Sequence, residues 1–231
     1  MCVMEGELFP STQLSLLESV SGGGSLPNAA MERVAEIYWK PVYRFVRLKF
    51  LKDNEGAEDL TQAFFASALE RDFFRRFDPA RASFRTYLRT AVEYFAANEY
   101  AAAQRLKRGG GVIFEPVEKA DDEKRSSAPP EEVFEREWRR QVFALALEDL
   151  KRHCDSAAKR LQWQVFEAYD LADGARASYA ELAARYGIAE TSVTNYLAWA
   201  RRMLRGFVEA RLRGVTAGEG ELRQEMRSLW S

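Results

Sequence analysis

Tyr87, Tyr94, Asn98, Ala101 and Arg105 recur at helical spacing, and Lys107 and Arg108 extend the basic end of the stretch. Aromatic rings, an amide and guanidinium groups on one face can stack on unpaired bases and hold phosphate. The same stripe also reads as an amphipathic helix whose tyrosines complete a core. A second set, Thr191, Ser192, Thr194 and Asn195, is followed by Arg201, Arg202 and Arg205. Hydroxyl and amide groups at the start of a helix can hydrogen-bond base edges or phosphates in duplex DNA. A third set, Glu58, Asp59 and Gln62, gives an acidic and polar face suited to a partner.

Enzyme chemistry finds little to use. His153 is the single histidine and reads as a surface residue; Cys2 and Cys154 belong to no CxxC or Cys/His cluster. No nucleophile with base and orienter can be assembled, and neither a metal site nor a cofactor is expected.

The elements that must position these residues are helices, because three- and four-residue apolar spacing recurs and sustained period-two alternation does not. The class is all-α. Residues 29–51 place Val34, Ile37, Tyr38, Val42, Phe45, Val46 and Leu48 inward, with Pro41 expected to bend the helix. Residues 55–70 turn Leu60, Phe64, Ala68 and Leu69 to one side, opposite Glu58, Asp59 and Gln62. Residues 83–105 carry a core stripe of Phe84, Leu88, Ala91 and Phe95. Helices are also expected over 133–150 and 161–171. Ser178 with Glu181 three positions on forms a capping box, Gly187 stops that helix, and Glu190 and Thr191 start the next. Two helices joined through a short Gly-containing turn make a helix-turn-helix pattern, with Val193, Leu197, Ala200 and Leu204 inward.

The chain has 231 residues, 47% of them hydrophobic, and a formal charge of -1. That composition excludes a disordered chain, and no apolar run approaches the roughly 20 residues of a membrane span. A reducing cytoplasm and no membrane association are expected. The charge is segregated. Residues 71–108 hold nine basic against four acidic residues, a net of +5; residues 115–137 hold four against nine, a net of -5; residues 176–213 hold seven against three, a net of +4. Gly109 to Gly111 and the run SSAPP at 126–130 are chain breakers bounding the acidic stretch. The resulting division is an arm over 1–28, a helical domain over 29–108, an acidic linker over 109–135, a helix-turn-helix domain over 136–213 and a tail over 214–231. The tail can form a short helix with Leu222, Met226 and Trp230 on one face, packed on its own domain or offered to a regulator.

Four segments taken together resemble a bacterial RNA polymerase sigma factor of the sigma-70 family, of the small extracytoplasmic-function (ECF) type. They are YWKPVYRFVR (38–47), AEDLTQAFF (57–65), FRTYLRTAVEYFAANE (84–99) and YAELAARYGIAETSVTNYLAWARRMLR (179–205). The resemblance implies that 29–108 is a region 2-like domain and 136–213 a region 4-like one. It implies core RNA polymerase as partner, through the largest-subunit clamp and the flap, with Glu58, Asp59 and Gln62 at the clamp. Promoter DNA is the other implied partner. Tyr87, Tyr94, Asn98, Arg105, Lys107 and Arg108 would capture and melt the minus-10 element. Thr191, Ser192, Thr194, Asn195, Arg201 and Arg202 would read the minus-35 element. The chain departs from many family members at Glu93, Tyr94, Thr194 and Tyr196.

Motifs such as DLTQ and AANE followed by KRGGG resemble a branch that travels with Ser/Thr kinases. That resemblance makes an anti-sigma factor or such a kinase a further candidate partner and Thr61 a candidate phosphorylation site. Residues 109–135 could stretch to roughly 90 Å, enough for two promoter elements on the order of 70 Å apart. A stand-alone helix-turn-helix regulator and a sigma-mimic adaptor are the alternative readings.

Overall fold

The computed structural model describes residues 28–70, 73–108, 128–174 and 176–230, and all regular structure among them is helical. In chain order the helices are α1 (Asn28–Lys49), α2 (Asn54–Glu70), α3 (Phe84–Arg108), α4 (Pro130–Ser156), α5 (Arg160–Asp170), α6 (Tyr179–Tyr186), α7 (Glu190–Arg213) and α8 (Glu219–Trp230). A 3-10 turn, Phe73–Arg76, lies between α2 and α3. The chain divides into two units: Met1–Gln141 with Leu212–Ser231, and Val142–Arg211. No described helix is long and apolar enough to cross a membrane.

In the first unit, α1 buries Met31, Val34, Ile37, Tyr38, Val42, Phe45 and Val46, the expected spacing, and runs through Pro41 as one helix. Asp53 caps α2 by accepting the Gly56 N–H at 2.9 Å. The buried face of α2 is Ala57, Thr61, Phe64, Phe65 and Ala68. Leu69, expected inside, is instead 53% exposed. Along α3 the buried stripe is Phe84, Leu88, Val92 and Ala96, four-residue steps that hold one face inward, while Ala91 and Phe95 are only half-buried. Phe84 meets the Tyr38 ring edge-on at 5.6 Å.

The acidic stretch ends earlier than its composition suggests. Residues 109–127 and the arm to residue 27 lie outside the described residues, but 130–135 form the first turns of α4. Pro130 occupies the first helical position, where a missing N–H costs nothing, and the Pro129 carbonyl accepts from Glu132 and Val133. Val133, Phe134 and Trp138 are buried, with Phe134 edge-on to Phe45 at 5.9 Å. The acids find cations on α1 and α3: Glu131 pairs with Lys49 at 2.6 Å, and Glu135 with Arg85 at 2.8 Å and Arg89 at 3.4 Å. Local breakers are therefore overridden by an apolar face and matched charges.

The tail is helical as expected, but α8 groups with the first unit rather than with 142–211. Its buried face is Leu222, Glu225, Met226 and Leu229, whereas Trp230 is 48% exposed. The three-residue step from Met226 to Leu229 carries the buried stripe past Trp230.

The second unit packs the rest of α4 with α5, α6 and α7 up to Arg211 around Val142, Ala146, Leu150, Phe166, Leu182, Val193, Leu197 and Ala200. Arg211 forks onto Asp149 at 2.6 and 2.8 Å. His153 is no plain surface residue: half-buried, its ring lies 6.2 Å from Trp199 and 5.9 Å from Phe207. Cys154 is buried, which raises its thiol to about 11 and keeps it protonated and unreactive.

Candidate functional site

The outward edge of α3 builds a cleft of about 330 Å³ in the first unit. Buried Phe64 and half-buried Phe73 and Phe95 supply apolar walls, while exposed Arg76, Tyr94 and Asn98 bring a cation, a ring and an amide. The aromatic walls hold one another, with Phe64 edge-on to Phe73 at 5.6 Å and to Phe95 at 5.7 Å. Tyr94 is 71% exposed, the most exposed of the large hydrophobic side chains among the described residues. Tyr94 and Asn98 are one turn apart, so a flat group entering the cleft can stack on the ring and meet the amide.

Tyr87 plays a different part from the one its spacing suggests. Its hydroxyl donates to the Phe73 carbonyl at 2.7 Å, and its ring lies 4.9 Å from Phe73 and 5.4 Å from Phe77. Burial raises its hydroxyl above the usual tyrosine value, with Arg76 pulling the other way. Tyr87 thus lines the cleft as a half-buried wall that fixes the 3-10 turn, and Arg76 from that turn lines the cleft beside it. The side chains of Arg105, Lys107 and Arg108, on the last turns of α3, lie outside the described residues.

On α2, Glu58, Asp59 and Gln62 are exposed together. Thr61 between them is fully buried, and its Oγ1 donates to the Ala57 carbonyl at 2.7 Å. A kinase cannot reach that hydroxyl in the folded chain, and a phosphate of about -1.5 to -2 charge has no room there. Thr61 is therefore a packing residue. Three- and four-residue steps put it on the inward side of the same helix that shows the acids.

In the second unit the capping box forms in full: the Glu181 N–H donates to Ser178 Oγ at 3.2 Å, and Glu181 Oε2 accepts the Ser178 N–H at 2.7 Å. The Ser178 N–H and hydroxyl, both donating to it, hold the Glu181 carboxyl below its ordinary value. Gly187 takes φ +64 as the C-cap of α6, a left-handed conformation that favours glycine. Ile188 N–H closes on the Ala183 carbonyl at 3.0 Å, and α7 starts at Glu190. Thr191, Thr194 and Asn195 are exposed on its first turns and Ser192 is half-buried. Arg202 is exposed. Arg201 is committed elsewhere: it forks onto Asp170 of α5 at 2.8 and 2.9 Å and lies 5.7 Å over the Tyr169 ring. It ties α7 to α5 while about half of its side chain stays exposed.

The sequence reading missed Arg76 and Phe73 as cleft residues, because both come from the short 3-10 turn, which no helical spacing marks. Arg85 and Arg89, two of the nine basic residues counted over 71–108, pair with Glu135 of α4. No curated protein and no solved structure matches the chain. Residues 35–106 match the family model for Sigma-70 region 2, a stretch that holds α2, the exposed acids and the whole cleft, and this match supports a sigma factor of the sigma-70 family with a role in promoter recognition by RNA polymerase.

Proposed function

We propose that the chain is a sigma factor of the extracytoplasmic-function type that binds core RNA polymerase and directs it to promoters with minus-10 and minus-35 elements. The observation that carries this reading is the coincidence of the Tyr94–Asn98 cleft and the exposed Glu58, Asp59 and Gln62 within the matched segment. Core polymerase docks on the acidic face of α2. One unpaired base of the minus-10 element enters the cleft, stacks on Tyr94 and is held by Asn98, with Arg76, Arg105, Lys107 and Arg108 facing phosphates. Extruding a base costs a few kcal/mol, and aromatic stacking returns about 1–3 kcal/mol per base. The minus-35 element is read as duplex by Thr191, Ser192, Thr194 and Asn195 at the start of α7, with Arg202 on phosphate, as the short Gly187 turn and exposed helix start favour. An anti-sigma factor acting on either surface is the expected kind of regulator.

Transcription from purified core polymerase with and without the protein tests the reading. Promoter-specific transcripts are expected only when both are present. Reversal of Glu58 and Asp59 to Lys is expected to abolish co-purification with core and to leave the thermal melt within about 0.5 kcal/mol of wild type, as for other exposed positions. Undiminished core binding by that variant would remove the α2 docking face.

A further inference from the structure

The C-terminal helix carries acids where a solvent-facing tail needs none. Glu221 Oε1 accepts the backbone N–H of Phe84, the first residue of α3, at 2.5 Å, and its Oε2 accepts the Ala217 N–H at 2.7 Å. A carboxylate from the far end of the chain thus caps the helix that carries the cleft, where negative charge is favoured. One turn further along α8, Glu225 has a side chain only 4% exposed, with Oε2 3.2 Å from Arg85 Nη2. The same guanidinium holds Glu135 of α4 at 2.8 Å and lies 3.9 Å over the Trp138 ring. Arg85 in the first turn of α3 therefore joins α8 to the start of α4. The join is imperfect: Glu135 and Glu225 share one guanidinium while Glu221 adds its charge nearby, and Arg85 Nε, Arg85 Nη1 and Glu225 Oε2 are buried without hydrogen-bond partners among the described residues. Buried polar clusters satisfied only in part are weak points of a fold.

We propose that α8 is an intramolecular latch, closed when Glu221 and Glu225 hold α3 and thereby seat residues 130–141 of α4, and open when that acid cluster lets go. In chain order, residues 142–211 are entered from α4 and left through the short stretch 214–218, so both connections begin at segments the latch holds. Opening releases the first turns of α3 and α4, and with them the helix that carries the cleft, to adjust to promoter DNA. That consequence rests on the sigma-factor reading; the latch itself does not.

Glu225 sets the strength of closure. Burial raises its carboxyl to about 7; Arg85 of α3 opposes the rise, while Glu221 of α8 and Glu135 of α4 add to it. Tyr38 of α1, its own hydroxyl raised by burial and by Glu225, also faces the group. Protonation of Glu225 removes one of three crowded negative charges and favours the closed state. With an ordinary carboxyl in the open state, closure weakens about fourfold between pH 6.5 and 8.5.

Hydrogen exchange on the full chain, followed in peptides from 84–90 and 219–230 and corrected for the intrinsic rate at each pH, tests this. Wild type is expected to lose about fourfold of protection in both peptides over that range. Glu225→Gln is expected to stay protected throughout, and Glu225→Lys, facing Arg85, to be open at both ends of the range while peptides of α1 remain protected. Equal, pH-independent protection in wild type and Glu225→Gln overturns the latch. With core polymerase present, Glu225→Lys should form more promoter complex per bound protein than wild type. If wild type itself directs no core-dependent transcription, the sigma-factor reading fails while the exchange result still decides the latch.

Discussion

Glu225 has a folded-state value of about 7 against an ordinary 4.5, so between those values the native chain holds a proton that the unfolded chain has released. Stability therefore falls as pH rises through that window and levels off above it. Glu225→Gln removes the titrating group while keeping its shape. Its melting temperature is expected to exceed that of wild type at pH 8, by the equivalent of about 1–3 kcal/mol, and to converge with it near pH 5. Chemical unfolding at the two pH values measures the difference. A carboxyl that behaved as an exposed one would show none. The same scale explains Thr61 and Arg201: each looks available in sequence, and each is spent on a contact, one with the Ala57 carbonyl and the other with Asp170.

Among the elements, α6 and its connection to α7 depend on two local devices. Ser178→Ala breaks the reciprocal cap with Glu181 and is expected to cost about 1 kcal/mol. Gly187→Ala places a side chain at φ +64 and is expected to cost about 1 kcal/mol as well. Because both act on one short helix, upstream-element use should fall with them, while core binding by α2 should not. Equilibrium unfolding and pull-down of core report the two readouts separately. These devices were legible beforehand because each acts within four residues. Pro129 and Pro130 illustrate the converse. As a dipeptide they signal a break, and only the burial of Val133, Phe134 and Trp138 turns them into a helix start.

At the scale of the whole molecule, the formal charge of -1 conceals basic and acidic blocks, part of which cancel inside the first unit through Lys49–Glu131, Arg85–Glu135 and Arg89–Glu135. Cations already paired with carboxylates displace few counterions from DNA. Without polymerase the chain is expected to bind duplex promoter weakly. Within a polymerase complex the two sets proposed to face DNA should separate by function. Tyr94→Ala should lower open-complex formation about tenfold on any responsive promoter, the loss of one stacked base. Asn195→Ala should reduce only promoters that carry the upstream element. Permanganate footprinting and run-off transcription on promoters with and without that element measure the two effects. Equal losses from Asn195→Ala on both promoter types would remove α7 as the reading helix.

The sequence by itself determined the helical class, the amphipathic faces of α1 and α7, the exposed acids of α2, the Ser178–Glu181 cap and the Gly187 stop. Each follows from interactions three or four residues apart, which spacing records directly. Tertiary structure alone decided that Tyr87 lines a wall while Tyr94 opens onto a cleft, that Arg76 joins that cleft, and that the tail closes on α3. Glu221 and Phe84 are 137 positions apart and Arg85 and Glu135 are 50 apart. Which buried carboxylate meets which guanidinium is settled by packing of whole helices, for which the linear pattern of charges holds no record.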